Sequence, residues 1–224
     1  ARAGQPPVRQ PAELEPRVWY NPQLQGVNFI VPGLIAIIMM TIAATLTSGT
    51  IAREWERNTM EQLLTTPVTS AEVILGKMIP YFVIGMLDMG LAVLMGDVLF
   101  HVPMRGSLPL LFIMGAWFMI GALGLGLVIS TVARNQMLAH EMAMIATFLP
   151  AFLLSGFSFS IRNMPHALQA VTYLVPAKYF IVLVRGIYLK GVGMHVLARQ
   201  VLLMVVFGVG LFLLAVKKFK RKLA

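Results

Sequence analysis

The sequence predicts an all-α, polytopic helical membrane protein with about five transmembrane helices, and three observations carry that reading. First, 58% of the 224 residues are hydrophobic and only 12% are charged, where a soluble domain is about half apolar and about a quarter charged. So few charges cannot cover a water-facing surface, and the mean hydropathy of +0.80 agrees. Second, the apolar residues fall in long charge-poor runs, each close to the roughly 20 residues that cross a bilayer as a helix. Third, basic residues gather at the edges of these runs, with Lys217, Lys218, Lys220, Arg221 and Lys222 following the last one. The net charge of +9 therefore reads as cytoplasmic flanks on membrane helices, not as a nucleic-acid surface.

Residues 1–25 carry Pro6, Pro7, Pro11, Pro16 and Pro22 without helical periodicity. They read as an extended external segment, the end of a larger external domain, ahead of a membrane domain over 26–224. The first span falls between Arg17 and Arg53, with its apolar core from Phe29 to Ile51. The second runs from about Met78 to Phe100 and contains Asp88 and Asp97. The third lies between Arg105 and Arg134, the fourth between Glu141 and Arg162 around Pro150, and the fifth between Arg199 and Lys217.

The segment from Ile161 to Gly193 has apolar patches, Ala170 to Val175 and Tyr179 to Val184, broken by Pro176, Lys178 and Arg185. Each patch is too short to span, so two short helices forming a re-entrant external segment are expected. Irregular backbone at that depth must be buried in protein or line a wet cavity; a surface-lying amphipathic loop is the plainer alternative. With the basic C-terminus in the cytoplasm, five spans place the Ala1 end outside. Arg53, Arg57 and Arg134 then lie inside, whereas Arg162, Lys178, Arg185 and Lys190 lie outside, against the usual bias.

The stretch from Ile51 to Pro67 is the most informative. From Arg53 to Glu61 it holds five charges in nine residues, directly after a charge-free span. Asn58 reads as the cap of a new helix, with Glu61 three residues on to reach back. Met60, Leu63 and Leu64 share a face at helical spacing. Pro67 restricts Thr66 and ends the helix, and the spacing of Thr69 and Glu72 starts the second span. A helix of about two turns is not stable alone. It must pack on headgroups, on neighbouring span ends or on another protein, and periodicity leaves these equal.

Several chemistries are excluded. There are no cysteines, hence no disulfide, thiolate metal site or cysteine nucleophile. No Gly-x-x-x-x-Gly-Lys-Ser/Thr phosphate loop occurs. Gly121, Gly124 and Gly126 sit inside an apolar span, where close helix packing is the expected role. His140 and Glu141 lack a second histidine, because Met144 occupies its place, and no metal is assigned. Ser155 and Ser158 have no base nearby and are expected to bond between helices. Met39, Met40, Met86, Met89, Met114 and Met119 suit either a pliable apolar surface or core packing. Asp88, mid-span, is a possible intramembrane polar site; such a carboxylate faces protein or a wet cavity, either pairing with a donor or lining a substrate path.

The run Arg53-Glu54-x-Glu56-Arg57-x-Thr59-Met60-Glu61-Gln62-Leu63-Leu64, followed by Thr66-Pro67 and Leu75-Gly76-Lys77, resembles the cytoplasmic signature of type-2 ATP-binding-cassette exporter permeases. The resemblance extends from Tyr20 to Leu223 and includes Asn163-Met164-Pro165, Pro176 to Tyr179 and Arg185-Gly186. Asn58 stands where the family commonly has glycine. The resemblance implies six spans with an external domain between the first two, so this chain would lack the first span and most of that domain. It implies a coupling helix at residues 53–66, with Arg53, Glu54, Glu56, Arg57, Thr59, Met60, Glu61, Leu63 and Leu64 carrying movement from a separate ATPase subunit. It implies no cofactor in this chain, ATP being bound by that partner. It also implies a dimer with a second copy or a paralogue, in a bacterial inner membrane among lipid, with a periplasmic adaptor as a further partner. The residues alone leave two other readings: an ion-gradient carrier using Asp88, or a membrane scaffold subunit.

Overall fold

In the computed structural model, residues 26–65, 67–133, 135–191 and 194–223 are described, together with all their side chains except those of Leu63, Leu64, Met194, His195 and residues 220–223. The external segment expected over 1–25 lies outside them. The apolar runs are all helical, and no strand occurs among the described residues. In chain order the helices are α1 (Gly26–Glu56), α2 (Met60–Leu64), α3 (Ser70–Val98), α4 (Leu108–Val132), α5 (Gln136–Leu154), α6 (His166–Thr172), α7 (Pro176–Lys190) and α8 (Met194–Leu223), with a 3-10 turn at Ile161–Asn163. Five are long and apolar enough to cross a membrane: α1, α3, α4, α5 and α8.

The helices outrun the charge-free cores because their ends are capped by polar residues. α3 begins at Ser70 because Thr69 and Glu72 form a capping box: the Thr69 N–H donates to Glu72 Oε2 at 2.7 Å, and Thr69 Oγ1 accepts from the Glu72 N–H at 3.4 Å. α5 begins at Gln136, ahead of Glu141, because Asn135 Oδ1 accepts the Leu138 N–H at 2.7 Å. Such caps satisfy donors that a helix start otherwise leaves unpaired.

α4 is the central post. At Gly126 a Cβ would collide with Thr47 Oγ1 and the Ala44 carbonyl of α1. Because none is there, the helices approach until Thr47 Oγ1 donates to the Leu123 carbonyl at 3.1 Å. On another side, Gly121 faces the backbone of Gly208 in α8. Gly121, Gly124 and Gly126 therefore do the packing expected of small residues between membrane helices. Met39, Met40, Met89, Met114 and Met119 are buried, so these methionines fill the core. Outward, α3 exposes Leu75, Ile79, Val83, Leu87, Leu91 and Leu94, a face suited to lipid. Ser155 donates to the Ala151 carbonyl of its own helix, not to a neighbour.

Three residues separate α4 from α5, so α5 runs back along α4 and Leu154 comes within about 9 Å of the level of its start. The end of α7 lies there too, since the Arg105 N–H donates to the Tyr188 carbonyl at 3.0 Å. The other end of α7 is deep in the bundle, with Phe180 stacked on Phe118 at 4.1 Å. α6 and α7 meet at a 76° bend. The segment therefore enters and leaves at one end of the bundle, as a re-entrant pair. The burial of Ala177, Phe180, Leu183, Val184 and Ile187 excludes a surface-lying loop.

Candidate functional site

The end of α1, α2 and the starts of α3 and α5 together form the site, at the bundle end opposite the re-entrant pair. α1 continues without a break through Arg53, Glu54 and Glu56. It ends in a Schellman turn: the Asn58 N–H donates to the Trp55 carbonyl at 3.3 Å and the Thr59 N–H to the Glu54 carbonyl at 3.0 Å. Asn58 has φ 54°, the left-handed conformation this turn requires and glycine adopts most readily. Asn58 thus closes α1 instead of capping α2, which corrects the expected Asn58–Glu61 box. It also explains why asparagine can stand where glycine is common.

The first charged residues of the run are bound to their own chain. Glu54 Oε1 accepts from Lys77 Nζ of α3 at 2.5 Å, with both side chains largely shielded. Glu56 Oε2 accepts the Gln136 N–H at 3.0 Å, placing a carboxylate on the positive end of α5. Arg53 Nε donates to Gln136 Oε1 at 3.1 Å. A turn further along α5, His140 lies over Gly49, its Nδ1 within 3.2 Å of Ser48 Oγ and 3.0 Å of the Thr45 carbonyl. The α1 end is therefore fastened to α3 on one side and to α5 on the other.

The later residues divide differently. α2 is one short helix of five residues, Met60–Leu64, shorter than the expected two turns. Met60 is 1% exposed and belongs to the main core, so α2 is anchored on its own bundle. Arg57, Thr59, Glu61 and Gln62 are exposed. Arg57 and Glu61 make no ion pair among the described residues. The side chains of Leu63 and Leu64 lie outside the described residues. The loop is thus a rigid mount with a charged, accessible tip.

Asp88 is not part of this site. It lies about 27 Å along α3 from Ser70, half-buried, and it makes no ion pair or hydrogen bond among the described residues. Neither a structural donor nor a lined path is found for it there. Gln136 and His140 belong to the site although nothing in the residue pattern placed them there, His140 having been weighed only as a metal ligand. Their only signal is the polar break at Asn135-Gln136 between two apolar runs.

The family described as "ABC-2 family transporter protein" matches residues 3–217. Among curated proteins of Escherichia coli K12, the chain is 44% identical over 211 residues to YbhS, named a "Probable multidrug ABC transporter permease", covering 94% of this chain and 56% of YbhS. It is 34% identical over 188 residues to YbhR, which bears the same description, covering 83% of this chain and 50% of YbhR. It is 30% identical over 211 residues to the "Inner membrane transport permease YhhJ", covering 93% of this chain and 56% of that protein. The chain spans about half the length of these relatives. With the polytopic helical fold and the loop just described, this match places the chain in the ABC-2 family of transporter proteins.

Proposed function

We propose that this chain is the membrane-spanning permease part of an ATP-driven exporter, coupled through residues 53–66 to a separate ATPase subunit that binds the ATP. The observation that carries the reading is the division of labour in the loop. Arg53, Glu54 and Glu56 fasten it to α3 and α5, while Arg57, Glu61 and Gln62 are exposed where a partner could reach them. A surface that must transmit force needs both a stiff seat and an accessible tip.

Two further features support the assembly. α1 and α5 border an open groove of about 480 Å³ lined by Thr41, Ile42, Thr45, Leu46, His140, Glu141 and Met144. Its size and its few polar groups suit a small-molecule site, and a second copy or a paralogue facing it would close it into a path. Multidrug export, named for YbhS and YbhR, fits that lining. In this reading the membrane is a bacterial inner membrane, the loop and the Lys217–Lys218 end are cytoplasmic, residues 1–25 are outside, and a periplasmic adaptor is a possible added partner.

Combining Glu61→Ala with Leu63→Asp in the full-length protein, expressed with its ATPase, tests the coupling. The expected outcome is continued ATP hydrolysis with transport reduced to background. Transport at the unmodified rate per ATP would overturn it.

A further inference from the structure

A second polar site lies at the re-entrant end, where α7 packs along α8. A cavity of about 170 Å³ is lined by Tyr173, Lys178, Tyr179, Val182, Arg199, Gln200 and Leu203. It is below the roughly 300 Å³ at which drug-sized ligands are held, so it suits a headgroup-sized occupant.

Its chemistry is one-sided. Lys178 Nζ donates to Thr172 Oγ1 at 2.8 Å and sits 3.6 Å from the centre of the Tyr173 ring, which leaves ammonium donors unused. Arg199 is exposed, makes no ion pair among the described residues, and lies close enough to Lys178 for the two charges to repel. Gln200 Oε1 is buried and accepts no hydrogen bond. Among the described residues no carboxylate lines the cavity. Asp97 acts on Tyr188, which is ten residues, about 15 Å, further along α7 than Lys178. Two cations and an orphan acceptor therefore face one space, where among the described residues only the Thr172 hydroxyl and the Tyr173 ring, both at Lys178, oppose their charge.

Depth narrows the occupant. Arg199 follows the first residue of α8 by about 8 Å of helix, within the first turn of the apolar span Val196–Phe219, close enough to its end for the guanidinium to reach outward. Basic side chains at that level reach for lipid phosphate. Val182 and Leu203 continue the cavity as an apolar strip, which suits an acyl chain. We propose that this cavity binds the headgroup of an anionic phospholipid of the phosphatidylglycerol type. The phosphate sits between Lys178 and Arg199, and a headgroup hydroxyl donates to Gln200 Oε1. A phosphatidylethanolamine headgroup would bring a third cation to a site that already holds two.

The test is native mass spectrometry of the full-length protein purified from its own membranes, delipidated and titrated with phosphatidylglycerol or phosphatidylethanolamine in mixed micelles. The expected result is one phosphatidylglycerol retained per chain at collision energies that strip phosphatidylethanolamine. Lys178→Met with Arg199→Gln should weaken phosphatidylglycerol retention about thirtyfold, as expected for two basic contacts near an anionic lipid, and leave phosphatidylethanolamine unchanged. Equal retention of the two lipids by the unmodified protein overturns the proposal without recourse to any variant. Displacement of the lipid by soluble glycerol phosphate would show a free-anion site and overturn the lipid assignment. The site is independent of the loop, so failure of the coupling test leaves it standing.

Discussion

Glu54, near the end of α1, holds its carboxylate 2.5 Å from Lys77 Nζ, about two turns into α3. Two residues of one sequence motif, separated by the whole loop, thus close the loop at its base. Removing either partner leaves a partly shielded charge alone. Glu54→Gln and Lys77→Met should each destabilise the protein by about 1 kcal/mol, the upper end for a partly exposed pair, and should loosen the loop. The swap Glu54→Lys with Lys77→Glu should recover most of the loss. Thermal melting in detergent, run as a double-mutant cycle, measures the coupling. A coupling energy of zero would remove the pair from the account.

The left-handed Asn58 makes a sharper prediction. Asn58→Gly should be neutral within a few tenths of a kcal/mol, whereas Asn58→Val should cost about 1–2 kcal/mol, because a β-branched side chain clashes at that φ. Melting of the two variants side by side decides it. Equal stability would mean that Asn58 does not hold the Schellman turn.

The start of α5 should respond to two separate caps. Asn135→Ala should cost about 1 kcal/mol. Glu56→Gln, which keeps the shape and removes the charge, should cost about 0.5 kcal/mol and less at high salt. Hydrogen exchange at Gln136 and Leu138 should speed up in both. Unchanged exchange in Glu56→Gln would show that the carboxylate does not act on α5.

Glycines separate by what surrounds them. Gly126→Ala forces α4 away from Ala44 and Thr47 of α1 and should cost about 1–3 kcal/mol. Gly210, in α8, has open space where a Cβ would go. Gly210→Ala should therefore stabilise the helix by about 0.5–1 kcal/mol. Opposite signs from one substitution type are the expected result, read by melting in detergent.

The spans were legible because lipid leaves no other place for long charge-free runs, and the Thr69–Glu72 spacing located the start of α3 for the same local reason. Asn58 was misread because its side chain suits both the start of one helix and the end of another, and only its φ distinguishes them. α7 appeared as fragments since Lys178 and Arg185 interrupt its apolar run. In the fold, those charges are absorbed by aromatic faces: Lys178 lies over Tyr173, and the Arg185 guanidinium lies 3.4 Å from the Phe29 ring centre. The charged loop was legible as a site, but its division into seat and tip was not. Gln136, which receives both Glu56 and Arg53, comes from a distant segment that no local pattern connects to them.

The tight crossing of α1 and α4 at Ala44 and Gly126 is reinforced further along α1, where Ser130 Oγ of α4 accepts from the Ile51 and Ala52 N–H groups at 3.0 Å each. Ala44 lies about 18 Å from Glu56 along the helix and about 17 Å from Gly33 on the other side. One unbroken helix therefore runs from the fastened loop to Gly33. At that far end Phe157 and the Arg185 guanidinium are packed against Gly33. α1 therefore joins the two ends of the molecule through a spot where a single methyl group would not fit.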